Sequence, residues 1–397
     1  ASISGDAQTE PLRQWSLDNF GEDLLALPKE GRLYVWDESA GTGTRAVVVS
    51  TAPSASNFMF VSQQDRHVIC LGTHGVASGF DPMLVRWSDQ NDYTNWNVNV
   101  SSTSGENQLG DGSELVTGLN TRNQSLIWTD NAVHAMEFVG PPFIFNFRQL
   151  GSNCGIAGQH AAIELDGRIF WMGAKDFFVY DGAVKALPCT VRRFVYDDFN
   201  FDQKEKVYAG TNQEFREVTW LYPSKNSTEV DRYVSYNPVE NYWTFGTTIF
   251  TTWEDKEVFQ NVITTGRETD GDNYLYTNEP EGIYTADGQK QEAFLESSEF
   301  DTSPPSYGPG DSIMYLDRIV PDFTINDGGR VTLRMKLKNF PNGEVREKGP
   351  FFVTPTTQFI RTRARSRQAI IRISTSTGGT NWRLGSFRMD VTQDGKR

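Results

Sequence analysis

The sequence is poor in the residues that disulfide-rich and metal-binding proteins require. Its 397 residues include only 3 Cys and 4 His, and no two cysteines lie at the spacing of a metal-binding pair. Three cysteines cannot build a disulfide framework, so Cys70, Cys154 and Cys189 are predicted to be reduced and buried. A small secreted disulfide-rich domain and a zinc protein are therefore excluded.

Membrane and targeting signals are also missing. No uninterrupted apolar run approaches the ~20 residues that a membrane-spanning helix needs. Residues 1–30 do not show the basic, apolar and small-residue order of a secretory signal peptide. We therefore expect no membrane insertion.

Motifs of catalysis and cofactor binding are absent as well. The sequence contains no P-loop, no dinucleotide-binding glycine pattern, no Gly-x-Ser-x-Gly motif and no His-Glu-x-x-His motif. His67, His74, His134 and His160 do not have the spacing of metal ligands and are predicted to have structural or surface roles. We expect no catalytic residues, no metal site and no cofactor, and the protein is predicted not to be an enzyme.

Helical periodicity is nearly absent, and short runs rich in Val, Ile, Tyr, Phe, Trp and Thr alternate with turn residues. Seven Asp-Gly pairs mark tight turns, because Gly accepts the positive φ that hairpin turns require. Regular short strands with turns between them are typical of an all-β chain.

A degenerate repeat runs through the first three quarters of the chain. Each copy is an apolar strand that ends in an aromatic residue and an Asp or Asn turn, and successive aromatics lie 41 to 56 residues apart. The aromatic positions are Trp36, Trp87, Trp128, Tyr180, Tyr236 and Tyr284. Periods of about 40–50 residues favour a β-propeller of five to seven blades, with each aromatic packed between neighbouring blades. A pair of β-sandwiches is the alternative.

A Pro- and Gly-rich stretch predicts a boundary between two domains. We expect a propeller body over residues 1–289, a linker over 290–310 and a small basic β-sandwich over 311–397. In the last part, Val331, Leu333, Met335 and Leu337 alternate with polar residues, which predicts a half-buried strand.

Charge is unevenly distributed between the two parts. The net charge is −14, but Arg330–Arg397 contains 15 Lys+Arg and only 4 Asp+Glu, which leaves −25 for the rest. An acidic body joined to a basic C-terminal region indicates two surfaces with different roles, and simple solubility is the alternative.

Four arginines at alternating positions, Arg361, Arg363, Arg365 and Arg367, form the candidate site. A single straight strand would place them on the same face as Ala369, Ile371 and Ile373, so the chain is predicted to bulge or turn near Ser366. The first segment then presents a row of guanidinium groups about 7 Å apart on an exposed face. Three roles remain open: an intersubunit seam, a cationic ring in a channel, and an ordinary solvated strand face.

Several sequence blocks resemble one known family. The most specific is Trp15–Ala26, WSLDNFGEDLLA, and the others span most of the chain. They are Leu33–Asp37, Phe194–Asp202, Lys206–Tyr208, Trp220–Pro223, Asp231–Asn237, Asn241–Thr244, Trp382–Gly385, Arg388–Asp390 and Asp394–Arg397. Together they resemble the packaged-DNA stabilisation proteins, or tail hub (nozzle) proteins, of short-tailed bacteriophages.

This resemblance implies a structural virion protein that is made in the host cytoplasm and incorporated into the phage tail. It implies a homohexameric ring below the head-to-tail adaptor protein, which closes and lines the DNA exit channel. Expected partners are the adaptor, a tail fibre or spike, a tail needle or plug protein, and genomic DNA in weak, non-specific contact. Because family members carry further strand-rich sequence before the Trp15–Ala26 block, the first blade is expected to be incomplete, or completed by other strands.

Two other functions remain open from the residues alone. The repeat spacing and the abundant Trp and Tyr also suit a glycan-binding or glycan-cleaving propeller. A cellular propeller that serves as a platform for protein interactions is the third hypothesis.

Overall fold

Strand-forming runs build antiparallel sheets throughout the chain, which confirms the all-β prediction. The computed structural model describes residues 14–255, 259–267, 271–278, 280, 292–303, 310–340, 342–375 and 379–395. The predicted Asp-Gly turns are visible in the backbone. For example, Asp166 and Gly167 both have positive φ, at 52° and 74°, in the turn that joins two paired strands.

The chain divides into two units, Ala1–Asn278 (unit 1) and Glu279–Arg397 (unit 2). Residues 290–310, predicted as a linker, include a strand over Ala293–Glu296 that pairs with Arg372–Thr375 in unit 2. This part of the predicted linker therefore belongs to a sheet. This strand has only four residues and shows no apolar and polar alternation, so its sequence does not predict a partner so distant in the chain.

Unit 1 contains six antiparallel sheets in chain order, and the strands of each sheet are hydrogen-bonded in sequence order. Sheet 1 contains β1 (Trp15–Phe20), β2 (Asp23–Pro28), β3 (Tyr34–Trp36) and β4 (Val47–Val48). Sheet 2 contains β5 (Ser56–Ser62), β6 (His67–His74), β7 (Phe80–Trp87) and β8 (Gly105–Gln108). Sheet 3 contains β9 (Leu115–Asn120), β10 (Ser125–Thr129), β11 (Ala132–Phe138) and β12 (Phe145–Ser152).

The second half of unit 1 repeats this arrangement. Sheet 4 contains β13 (Ala162–Leu165), β14 (Arg168–Met172), β15 (Phe177–Tyr180) and β16 (Val184–Leu187). Sheet 5 contains β17 (Tyr208–Asn212), β18 (Glu217–Tyr222), β19 (Arg232–Asn237) and β20 (Tyr242–Thr247). Sheet 6 contains β21 (Phe250–Glu254), β22 (Ile263–Arg267) and β23 (Asn273–Thr277). Helix α1 (Arg192–Asp198) and 3₁₀ segments over Glu38–Ala40 and Phe201–Lys206 lie between strands.

The first sheet differs from the expectation of an incomplete blade. All four of its strands come from one continuous segment, Trp15–Val48, although the last strand has only two residues. Within the described residues, sheet 6 is the sheet with three strands. The sixth repeat aromatic, Tyr284, lies outside the described residues.

The first strands of neighbouring sheets pack side by side. β1 contacts β5, β5 contacts β9, β13 contacts β17, and β17 contacts β21. Two glycines allow this approach, because a Cβ at Gly118 would lie 2.4 Å from the Phe60 ring and one at Gly210 would lie 2.1 Å from the Trp253 ring. Aromatic rings from one sheet therefore occupy the space that a side chain on the neighbouring first strand would need.

Four of the repeat aromatics contact a neighbouring sheet, as predicted. Trp87 packs edge-on against Phe145 of sheet 3, and Trp128 packs edge-on against Trp171 of sheet 4. The hydroxyl of Tyr180 accepts a hydrogen bond from the Gln124 side chain in sheet 3, and Tyr236 lies 6.2 Å from Phe170 in sheet 4. Trp36 instead donates to the carbonyl of Thr44 within its own sheet region.

Unit 2 contains β24 (Ala293–Glu296), β25 (Met314–Val320), β26 (Phe323–Ile325), β27 (Val331–Lys338), β28 (Arg346–Val353), β29 (Ile360–Ser366), β30 (Gln368–Thr375), β31 (Trp382–Leu384) and β32 (Arg388–Gln393). They form sheets in the orders β24-β30-β27-β28, β29-β25-β32 and β26-β31. The predicted alternation is confirmed, since Val331, Leu333, Met335 and Leu337 are buried. They share one hydrophobic core with residues of β25 and β29, such as Leu316 and Ala364, which joins the two larger sheets.

Candidate functional site

The arginine row lies on β29, at one edge of the sheet β29-β25-β32. The inward positions Ile360, Thr362, Ala364 and Ser366 are buried, and Arg361, Arg363 and Arg365 are exposed. This alternation follows from the twofold period of a strand with one face on a core. The predicted outward row of three arginines is confirmed.

The predicted break near Ser366 is confirmed as well. β29 ends at Ser366 and β30 begins at Gln368 in a different sheet. Arg367 lies between them, half-buried, and its guanidinium donates to the carbonyls of Gly310 at 3.0 Å and Asp311 at 2.7 Å. Arg367 therefore ties the strand crossing to a nearby turn and lies outside the exposed row of three.

The exposed arginines differ in their partners. Arg365 pairs with Asp394 at 2.6 Å, and the neighbouring Arg318 on β25 pairs with Asp390 at 2.6 Å. Arg361 lies over the ring of Phe359, 5.8 Å from its centroid. Within the described part of the chain, no carboxylate lies within ion-pair distance of Arg361 or Arg363. Two guanidinium groups of the row are therefore available to an external anion.

On the sheet β24-β30-β27-β28, by contrast, several basic side chains are paired with carboxylates. Lys336 pairs with Glu296 at 2.8 Å, Arg372 pairs with Glu292 at 3.3 Å, and Lys338 pairs with Glu299. These carboxylates precede the basic region in sequence and neutralise part of it in space. Unit 2 as a whole has 17 Lys+Arg and 15 Asp+Glu, whereas unit 1 has 20 and 36. The basic surface is thus narrower than the sequence suggested.

Glu296→Gln is expected to destabilise the protein by about 0.5–1 kcal/mol at pH 7, as for a surface ion pair within a small network. Hydrogen bonds from Lys336 and Arg372 lower the pKa of Glu296 below its ordinary value. The unfolded chain therefore binds this proton more readily, and the stabilisation present above pH ~4.3 is lost as the pH falls. Unfolding free energies at pH 7 and pH 3 should show the wild-type advantage only at pH 7. The exposed Glu347, changed to Gln, is the control.

A second candidate site is the cavity of about 500 Å³ that the first strands of all six sheets line in unit 1. Its wall contains four carboxylates and no lysine or arginine among the described residues. The carboxylates are Asp18, Glu164, Glu254 and Asp255. Sequence analysis did not identify this set, because its members lie on separate first strands far apart in the chain.

Burial shapes the protonation of this cavity. Burial raises the pKa of Asp18, although the backbone N–H of Val61 donates to its carboxylate at 2.8 Å. Burial lowers the pKa of His160, whose ring stacks on Tyr208 at 5.0 Å. The imidazole is therefore neutral at pH 7, and the cavity wall carries only negative formal charge.

Sheet 2 brings a threonine, a histidine and an aspartate together. The His67 ring lies 2.8 Å from Asp65 through Nδ1 and 3.1 Å from the Thr103 hydroxyl through Nε2. The Thr103 hydroxyl, however, donates to Asp89 at 2.6 Å and accepts from the N–H of Gln90 at 2.8 Å. His67 is fully buried. A hydroxyl whose proton is committed to a carboxylate is a poor nucleophile for an adjacent base, so this arrangement suits a structural network.

The cysteines are free thiols, with Cys70 and Cys154 buried and Cys189 half-buried. Burial raises the pKa of Cys154 to about 11, which keeps its thiol protonated at neutral pH. No group of three or more His, Cys, Asp or Glu side chains within the described ranges is arranged to hold a metal ion. None of the helices described has the length and hydropathy to cross a membrane.

Comparisons with known proteins give little further information. No family model matches the sequence, and the search of curated proteins found no match. One similar solved structure is titled "Crystal structure of the computationally designed Ika8 protein", at 12% identity and a TM-score of 0.40, covering 66% of this chain and 70% of that chain. Another is titled "Crystal Structure of Mitotic Checkpoint Complex", at 10% identity and a TM-score of 0.41, covering 66% and 75%. Likenesses this weak carry no argument about function.

Proposed function

We propose that unit 1 is a six-bladed β-propeller and unit 2 a small β-sandwich. The six sheets follow one another in the chain, each is antiparallel with strands in sequence order, and the first strand of each lines the same cavity. This is the arrangement of propeller blades around a central axis. The number of sheets also lies within the five to seven blades predicted from the repeat.

We further propose that the protein is a structural component of a phage tail that assembles into a ring and catalyses nothing. The observation that carries this proposal is the exposed arginine row on β29, where Arg361 and Arg363 have no carboxylate within ion-pair distance in the described chain. Unit 1 has a large excess of acidic residues. A cationic face on one copy and an anionic face on the next form a heterologous contact, which generates a ring when the rotation closes. We take the expected copy number of six from the family resemblance.

Two of the blocks that carry the resemblance form defined elements of unit 1. Trp15–Ala26 forms most of the first hairpin, β1 to β2, with Phe20 and Leu25 buried in the core. Phe194–Asp202 covers most of helix α1 and the start of the following 3₁₀ segment. These blocks therefore lie in secondary-structure elements, where sequence similarity would preserve the fold of the proposed family.

An acidic ring suits a channel that conducts DNA. Phosphate affinity comes from Lys and Arg contacts, and each contact adds salt-dependent retention. A wall with few cations repels phosphate and lets the duplex slide. In this proposal the ring lies below the head-to-tail adaptor, carries a fibre or spike, and contacts a needle or plug protein and DNA only weakly.

Electron microscopy of phage particles purified from cells that produce this protein tests the placement. We expect six copies in a ring below the adaptor. Density for the protein only at the tips of fibres would contradict the proposal, as would its absence from the particle.

The central cavity of unit 1 favours a second candidate, a glycan-binding or glycan-cleaving propeller. Aromatic rings of Tyr208 and Trp253 line the cavity beside its carboxylates, and the raised pKa of Asp18 suits a general acid. Oligosaccharide binding or turnover that Asp18→Asn abolishes would support this candidate. The same variant would leave the assembly of a purely structural ring unchanged.

A further inference from the structure

Unit 1 contains a smaller cavity of about 10 Å³, which is about the size of one water molecule or one small ion. Its wall combines residues from six segments of the propeller-like unit. They are Gln14 before β1, Lys29 after β2, Asn57 on β5, Glu114–Val116 at the start of β9, Ala157–Gln159 before β13, and Lys204 and Glu205 in the 3₁₀ segment before β17. The cavity therefore lies where most of the sheets begin.

Three residues that line this cavity each have a side-chain amide oxygen without a hydrogen-bond partner. These oxygens are Oε1 of Gln14, Oδ1 of Asn57 and Oε1 of Gln159, and all three atoms are shielded from solvent. Asn57 is 7% exposed and Gln159 is 6% exposed. A buried polar atom without a partner costs about 1–3 kcal/mol, so three beside one cavity indicate a bound species that the protein chain does not supply.

The orientation of two of these amides is fixed by their nitrogen atoms. Nε2 of Gln14 donates to the carbonyl of Glu205 at 2.5 Å, and Nε2 of Gln159 donates to the carbonyl of Asn57 at 2.9 Å. Exchanging oxygen and nitrogen in either side chain would place two oxygens against each other. The free atoms of Gln14 and Gln159 are therefore acceptors, and a species that binds beside them must satisfy acceptors.

We propose that this cavity binds one small monovalent cation, of the size of Na⁺, through the amide oxygens of Gln14, Asn57 and Gln159. A water molecule has two protons and satisfies two of the three oxygens, whereas a cation attracts all three at once. The ligands are neutral, and Lys29 and Lys204 balance Glu114 and Glu205 in the wall. A divalent ion would therefore lose its hydration without compensating charge, which disfavours it.

At this cavity, the backbone of Gly158 lies close to the backbone of the 3₁₀ segment. A Cβ at Gly158 would lie 3.0 Å from the carbonyl oxygen of Lys204 and 3.1 Å from that of Glu205. The salt bridge between Lys29 and Glu205, at 2.8 Å, joins β2's end to the 3₁₀ segment beside the same cavity. An ion bound here would link the residues at the start of β1, β5 and β13 to one another beside this segment. It would therefore stabilise unit 1 independently of any role in a tail.

Thermal unfolding of the full chain in NaCl and in choline chloride at equal ionic strength tests the proposal. At a Na⁺ concentration of ten times Kd, we expect Tm to be about 3–6 °C higher in NaCl. A crystal structure grown with Tl⁺ should show anomalous density between the three amide oxygens. Equal Tm values in both salts, or an ordered water in place of the anomalous peak, would overturn the proposal.

The variant Asn57→Asp distinguishes a bound cation from a bound water by its effect on the Na⁺ dependence of stability. If a cation binds, the added carboxylate lowers the Na⁺ concentration needed for half-maximal stabilisation by about tenfold or more, and NaCl rescues a protein that is unstable in choline chloride. If only water binds, the variant is destabilised equally in both salts. Asn146→Asp, the same change at an exposed position on β12, is the matched control and should show the wild-type response to Na⁺.

Discussion

Trp220→Ala is expected to lower the free energy of unfolding by about 3–5 kcal/mol, the usual cost of truncating a fully buried tryptophan. Trp220 has no exposed surface, and its ring lies 4.9 Å from Phe177 in the preceding sheet. Its indole N–H donates at 3.1 Å to the carbonyl of Ala161, just before β13. The variant therefore leaves a cavity between sheets 4 and 5 and removes one of the two hydrogen bonds to the Ala161 carbonyl, which keeps the bond from the N–H of Met172 at 3.1 Å.

Denaturant unfolding monitored by circular dichroism measures this loss. Trp15→Ala is the control, because Trp15 is 48% exposed and its truncation should cost about 1 kcal/mol. Similar losses for the two variants would show that packing between sheets does not hold unit 1 together, and would contradict the blade arrangement.

The combined change of Arg361, Arg363 and Arg365 to Ser is expected to weaken association between copies by about 100-fold or more. Truncating one partner of a desolvated interfacial ion pair typically costs about 2–5 kcal/mol, and about 1.4 kcal/mol corresponds to a factor of ten. The stability of the single chain should fall by less than about 1 kcal/mol, because the three side chains are exposed and the Arg365–Asp394 pair lies at the surface.

Sedimentation of the variant and the wild type over a range of concentrations measures this effect. Arg193→Ser is the control, since its side chain is 93% exposed and lies in unit 1. Unchanged association of the triple variant would contradict the seam. Unchanged association combined with weaker DNA retention would instead favour the channel-ring alternative.

Local patterns in the sequence were sufficient to predict local structure. The alternation from Val331 to Lys338 specifies one strand with one buried face, and no distant residue is needed to interpret it. In one straight strand, the arginines of Arg361–Arg367 would share a face with the apolar residues of Ala369–Ile373. A buried face does not accept both, and this predicts the crossing near Ser366. The repeat aromatics were harder to align. Trp87 lies on the third strand of its sheet and Trp128 on the second, so the spacing indicates a blade without fixing its register.

Contacts between distant segments could not be predicted from such patterns. The Arg367 guanidinium donates to the carbonyl of Gly310, in a turn far from it in sequence. The charge of Lys336 on β27 is neutralised by Glu296, about forty residues earlier. The cavities of unit 1 that are discussed above each combine side chains from several sheets, and no local pattern marks their members. A single sequence contains these residues but does not show which of them meet.

Native mass spectrometry of the purified protein, alone and with the proposed partner, a head-to-tail adaptor protein, tests the central claim most directly. A ring-forming tail component should appear as six copies of the chain, either alone or once the adaptor is added. A single copy in both samples, at concentrations well above those in an infected cell, would contradict it.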